Sequence, residues 1–169
     1  MRTLYLMRHA QRPDKEFRAH TTLTDEGYLQ AQYSVPNQLI NIPFDAIYSS
    51  NYIRCIETIY YYVLANGHLI NLDNALAERS DSCLIPSHLM NVINTYYVPK
   101  YEELPNNFTF DGLKSRVSTF LYNIPDNSVI LCVTHNPVIN AIMNILGHAG
   151  FTYRNPTSPV ATLIGPIYY

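Results

Sequence analysis

A chain of 169 residues with 47% apolar and only 14% charged side chains suits one domain with a sizeable core, and its composition is globular rather than disordered. The net charge of −2 gives no general attraction to nucleic acid or to an anionic membrane, and no apolar run approaches the roughly 20 residues that span a bilayer. Cys55, Cys83 and Cys132 are odd in number and widely spaced, which suggests neither a disulfide framework nor a zinc site. No signal-peptide-like apolar stretch opens the chain, so the expected compartment is the cytoplasm.

Positive charge is concentrated early: Arg2, Arg8, Arg12, Lys15 and Arg18 are five of the eleven Lys and Arg residues. Thr3 to Met7 reads as a short buried strand, with Arg8 and His9 where it runs out into a loop. Ligands of open α/β sheets gather beyond the carboxyl ends of the strands. A cation beside an imidazole there suits an anionic substrate and a reacting atom, although the pair alone also reads as a surface Arg beside an ordinary His. Gln11 to Thr22 is a polar loop containing Pro13. Thr24-Asp25-Glu26 starts a helix, with a hydroxyl cap and acids in the first turn. It should run to about Ile40, interrupted or bent near Pro36. Phe44 to Tyr48 is a second strand, ending in Ser49-Ser50.

From Asn51, the residues Ile53, Ile56, Tyr60, Val63 and Leu64 recur at helical spacing until Asn66-Gly67. His68 to Leu72 is strand-like, and Leu76-Ala77-Glu78 enters a polar segment. A helix is expected from about Ser87 to Tyr97, then a Pro- and Asn-containing loop. Phe110, Leu113, Val117, Phe120, Leu121 and Ile124 line one helical face, closed by Pro125. Val129 to Thr134 is the clearest buried strand and runs into His135. Asn136 as N-cap and Pro137 as first helical residue open a helix to Leu146. Val160 to Ile164 is the expected last strand. Strands alternate with helices without a repeat or linker. The expectation is a single domain over 1–169: an α/β three-layer sandwich with a largely parallel central sheet flanked by helices.

Three strand ends carry useful chemistry: Arg8 and His9, the Ser49-Ser50 turn leading to Arg54, and His135. In neighbouring parallel strands they would open onto one crevice. LMRHA at 6–10, LTDEGYLQA at 23–31, YSSNYIRCIET at 48–58, LAE at 76–78 and VTHN at 133–136 together resemble the histidine phosphatase (phosphoglycerate mutase-like) superfamily, in its order and over most of the chain. The resemblance implies a phosphoglycerate mutase-like fold and a metal-independent phosphomonoesterase that needs no cofactor. His9 would take the phosphoryl group on one ring nitrogen, which requires a neutral imidazole whose other nitrogen donates to a fixed acceptor. Arg8, Arg54 and His135 would surround the phosphoryl oxygens, with forked guanidinium contacts and charge stabilisation dominating. The backbone N–H of Asn136, near a helix start, would add a donor.

Glu78 would protonate the leaving oxygen, a role favoured by a neighbouring phosphate dianion. On residues alone it reads as a surface acid paired with Arg79, and Asp81 is a rival. RHAQR, with Gln11 and Arg12, is similar to the RHGER form of the branch that includes T-cell-signalling suppressor phosphatases. There Arg12 would face the phosphate and the substrate would be phosphotyrosine or an aryl phosphate; otherwise it is an exposed loop Arg. Ala10 stands where Gly is usual, a change shared with short phosphohistidine phosphatases. Asn51 replaces a common Pro, and Asn136 replaces a small residue and would narrow the pocket or touch substrate.

The implied partner is a phosphorylated small molecule or phosphoprotein, with no nucleic acid and no membrane. A phosphohistidine protein phosphatase, a phosphoglycerate mutase and a non-catalytic phospho-ligand-binding module are the alternatives. His20, His68, His88 and His148 receive no role, and no ligand pair has metal-site spacing. Fifteen tyrosines and the apolar end Leu163 to Tyr169 belong to the core or to an interface, so the oligomeric state stays open.

Overall fold

A computed structural model describes residues 1–79, 83–97 and 109–169 of the chain. Among the described residues six strands form one sheet: β1 (Thr3–Arg8), β2 (Ala46–Ser49), β3 (Ile70–Asp73), β4 (Ile93–Tyr97), β5 (Val129–Thr134) and β6 (Leu163–Tyr168), in the order β4-β3-β2-β5-β1-β6. β5 is central because it is apolar on both faces, as a buried parallel strand must be. It pairs in parallel with β1 and β2, with Arg8 opposite Thr134 and Ser49 opposite Val133. β6 runs antiparallel to its neighbour β1.

Alternation of side chains divides the core into two layers. Met7, Ile47, Leu72, Leu131 and Val133 pack with residues of the chain between 19 and 63, whereas Leu4, Leu6, Ile130 and Cys132 pack beneath the later helices. On the first face lie α1 (Asp25–Leu29), α2 (Val35–Leu39) and α3 (Ile53–Asn66); on the other lie α4 (Phe110–Asn123) and α5 (Asn136–Ile145). The three-layer α/β expectation holds. Among the described residues, no helix is long and apolar enough to cross a membrane.

The helix expected from Thr24 to Ile40 forms in three pieces, with a π-helical turn over Gln30–Ser34 joining α1 to α2. Pro36 has no N–H for the i→i−4 ladder, and the widened turn just before it accommodates that loss. Thr24 caps α1 as expected, accepting from the Gly27 N–H.

Three local expectations are corrected. Ser87 to Tyr97 is a 3₁₀ turn (Ser87–Val92) followed by β4, not a helix, because pairing Ile70 with Ile93 and Leu72 with Tyr96 extends the sheet. The last strand begins at Leu163 rather than Val160, which makes only an isolated bridge to Arg8. Asn136 is the first residue of α5, and the N-cap position is held by His135, whose side chain makes no cap bond.

Candidate active site

The adjacent carboxyl ends of β1, β5 and β2 assemble the site, and the sheet ladder continues past them. The His9 N–H donates to the Thr134 carbonyl at 2.9 Å and the Ser50 N–H to that of Val133 at 3.0 Å. His9 and His135 therefore emerge side by side, with ring centroids 5.3 Å apart.

His9 is 3% exposed, and its Nδ1 lies 2.8 Å from the Ala10 carbonyl oxygen. A carbonyl only accepts, so Nδ1 carries the proton and Nε2 keeps its lone pair. Burial first, and then the positive charge of Arg54, Arg8 and Arg12, pushes this imidazole down to about 3, which keeps it neutral at physiological pH. Ala10 is held in turn: its N–H donates to Thr58 Oγ1 at 2.8 Å, and that hydroxyl donates to the Arg54 carbonyl at 2.6 Å. α3 thus fixes the loop that orients the histidine.

Arg54, in the first turn of α3, has no exposed surface. A buried cation must be paired, and its guanidinium donates to the Arg18 carbonyl and Glu78 Oε2, both at 2.9 Å, while lying 4.7 Å over the Tyr52 ring. It also approaches His135 Nδ1 at 3.3 Å. Since guanidinium only donates, Nδ1 accepts, and the proton sits on Nε2, which donates to Ser50 Oγ at 2.9 Å. Burial, then Arg54, holds His135 well below its ordinary range, so it is a neutral ring.

Glu78 follows β3 on a segment gripped at its two preceding carbonyls, by Thr134 Oγ1 on Leu76 and by Arg116 Nη2 on Ala77, each at 2.6 Å. Its carboxylate reaches Arg54 and comes within 3.5 Å of His135 Nδ1. Arg8 donates to the Ser158 carbonyl at 2.8 Å, and Arg12 to that of Pro13 at 2.8 Å. The charges of Arg12, Arg54 and Glu78 act on one another, and burial lowers the proton affinity of both guanidiniums. Three guanidiniums around one acidic side chain give the cluster a net positive charge, which suits a phosphoryl dianion.

A sequence profile of the histidine phosphatase superfamily (branch 1) matches residues 4–157. The chain belongs to that superfamily. The enzyme class of the superfamily is phosphatase, and its fold is shared by solved structures at low identity. Phosphoserine phosphatase from Entamoeba histolytica, in complex with 3-phosphoglyceric acid, is 19% identical with a TM-score of 0.65, covering 96% of this chain and 89% of that one. The α-ribazole phosphatase from Shigella flexneri is 19% identical with a TM-score of 0.67, covering 95% and 88%. The ecdysone phosphate phosphatase from Bombix mori, bound to tungstate, is 14% identical with a TM-score of 0.67, covering 96% and 88%. No curated protein sequence matches the chain.

Of the residues expected at the site of this histidine phosphatase family member, Arg8, His9, Arg54, Glu78 and His135 stand together. Arg12 borders them, with its guanidinium 4.5 Å over the Phe17 ring. Gln11 instead serves the loop–helix junction: its side-chain and main-chain oxygens both accept from Thr24. The Asn136 side chain is likewise occupied, accepting from the Ser158 N–H at 2.6 Å and facing the Arg154 carbonyl. It ties down the segment whose Ser158 carbonyl holds Arg8. Asp81 and residues 98–108, where a loop was expected, lie outside the described residues. Among the described residues, no group of three or more His, Cys, Asp and Glu is arranged to hold a metal.

The supports provided by Ser50, Thr58, Thr134 and Arg116 went unassigned in the sequence. Thr58 lies inside the YSSNYIRCIET motif and was detectable there. Arg116 has no local signal, since only the fold brings α4 beneath the Ala77 carbonyl.

Proposed function

We propose that this protein is a metal-independent phosphomonoesterase working through phosphorylated His9. The observation that carries the reading is the Nδ1–H of a buried, neutral His9 donating to Ala10, with Arg8, Arg12 and Arg54 around it. Nε2 attacks phosphorus while the bond to the leaving oxygen breaks, and Glu78 gives that oxygen its proton. The imidazolium charge that develops is shared with the Ala10 carbonyl. A water then attacks the phosphohistidine and loses its proton to the Glu78 carboxylate, which restores the acid and releases phosphate. Guanidiniums stabilise the equatorial oxygens in both steps.

The favoured substrate class is an aryl phosphate, phosphotyrosine included. Phe17 is 42% exposed beside the cluster, with the Arg12 guanidinium over its ring and that of Arg79 at 5.9 Å. This surface suits a flat leaving group.

Hydrolysis of p-nitrophenyl phosphate in EDTA, beside His9→Ala, tests the reading. Turnover that survives EDTA and disappears in the variant supports it. Equal activity in both proteins removes His9 from the mechanism, and activity abolished by EDTA contradicts metal independence.

A further inference from the structure

We infer that Arg116 is a positioning residue for proton donation: from the opposite side of the sheet's end it sets the place of Glu78, and with it the enzyme's tolerance of poor leaving groups. The inference rests on the reading of Glu78 as the acid. Arg116 belongs to α4, is 3% exposed, and crosses to the Ala77 carbonyl at 2.6 Å. That carbonyl belongs to the peptide unit whose N–H is Glu78's own, so its position and that of the Glu78 Cα are coupled through one rigid plane.

A buried guanidinium loses its hydration, and Arg116 has interactions beyond this one carbonyl, its charge being felt by Asp73 and His135. What the long, planar side chain adds is reach from a helix that carries no other group of the site. The neighbouring carbonyl, of Leu76, is held independently by Thr134 Oγ1 at 2.6 Å, and Thr134 directly precedes His135. Two successive peptide units before Glu78 are therefore fixed, one to the strand end that carries the second histidine and one to α4. With both in place the carboxylate falls 2.9 Å from Arg54. The charge of Arg116 is also felt by His135, so phosphate affinity is read beside the leaving-group series.

Proton donation matters in proportion to how badly the leaving oxygen needs the proton. A displaced acid therefore leaves a signature that a weakened phosphate clamp does not. We would measure kcat/KM for ring-substituted phenyl phosphates, from p-nitrophenyl to p-methoxyphenyl, in the wild type, Arg116→Met, Arg116→Lys, Thr134→Val and Glu78→Gln. Inhibition by inorganic phosphate and thermal melting would be followed in the same proteins. Misplacement by a remote change is worth up to about 10²-fold. The expected loss in Arg116→Met is about 10-fold or more for the p-methoxyphenyl ester and no more than about 3-fold for the p-nitrophenyl ester. Affinity for phosphate should be unchanged and Arg116→Lys should recover part of the loss. If Arg116→Met does not fold, Thr134→Val and Arg116→Lys carry the test, each with the same selective direction. Equal loss across the series, or loss of phosphate affinity in parallel, makes Arg116 merely structural and overturns the inference. A selective loss in Glu78→Gln without one in the Arg116 and Thr134 variants overturns it alone. Absence of selectivity in Glu78→Gln itself removes Glu78 as the acid, and the inference falls with it.

Discussion

Acidification from pH 7 to pH 5 acts on the buried imidazole of His9 through its different proton affinity in the folded and unfolded chains. The folded group lies at about 3, mainly because burial disfavours the cation, against 6.5 when unfolded. Between those values the unfolded chain binds a proton that the native protein refuses, so stability is full above about pH 6.5 and declines as the pH falls toward about 3. At pH 5 the unfolded histidine lies about 1.5 units into that window, which at about 1.4 kcal/mol per unit is about 2 kcal/mol. His135, also held low, adds to the decline with the same sign. Comparison with His9→Gln isolates the His9 share, because other groups titrate in both proteins. Urea unfolding of each at pH 7 and pH 5 should show the wild type losing about 2 kcal/mol more than the variant. Equal losses would mean that His9 titrates normally in the folded protein, and would refute the argument that burial keeps the nucleophile neutral.

Three further outcomes follow from particular contacts. Arg54→Ala should lower kcat/KM for p-nitrophenyl phosphate by about 10²–10³-fold, and Arg54→Lys should not restore it, because one ammonium cannot serve the Arg18 carbonyl, Glu78 and His135 together. Thr58→Val leaves the Ala10 N–H buried without its acceptor, so denaturant unfolding should show a loss of about 1–3 kcal/mol, accompanied by lower kcat/KM as the His9 loop loosens. Gly27→Ala places a methyl group inside contact distance of the Gln11 carbonyl oxygen, and backbone must move to admit it. Thermal melting should report a destabilisation of about 1–3 kcal/mol; an unchanged melt would show that the loop over 11–22 is not packed on α1 as described.

The centre of the sheet was legible because its strands are buried on both faces. Leu4 to Met7 and Ile130 to Val133 leave no polar alternative, and the residues that follow them in the chain are the site. The periphery was less legible because partners, not local pattern, decide it. Leu89, Val92, Ile93 and Tyr96 fit a helical face, yet the open edge of β3 recruits the second half of that segment as β4. Gly165 and Pro166 break the strand pattern, so the expected last strand stopped at Ile164, although β6 runs on to Tyr168 and pairs with β1. At the site, charged residues beside strand ends could be named from the sequence, whereas the groups that aim them could not. Asn136 read as a helix cap or substrate contact, but Ser158, 22 residues later, takes its side chain. Arg116 carries no local signal of its role, and only the packing of α4 gives it the Ala77 carbonyl.

The most direct test of the account is to trap the covalent intermediate. Protein mixed with radiolabelled aryl phosphate would be denatured in alkali, where a phosphoramidate survives, and the labelled peptide sequenced. The account predicts acid-labile label on His9, absent from His9→Ala and accumulating in Glu78→Gln if the acid also activates the water. Label on another residue, or steady turnover with no labelled protein at any quench time, would contradict transfer through His9.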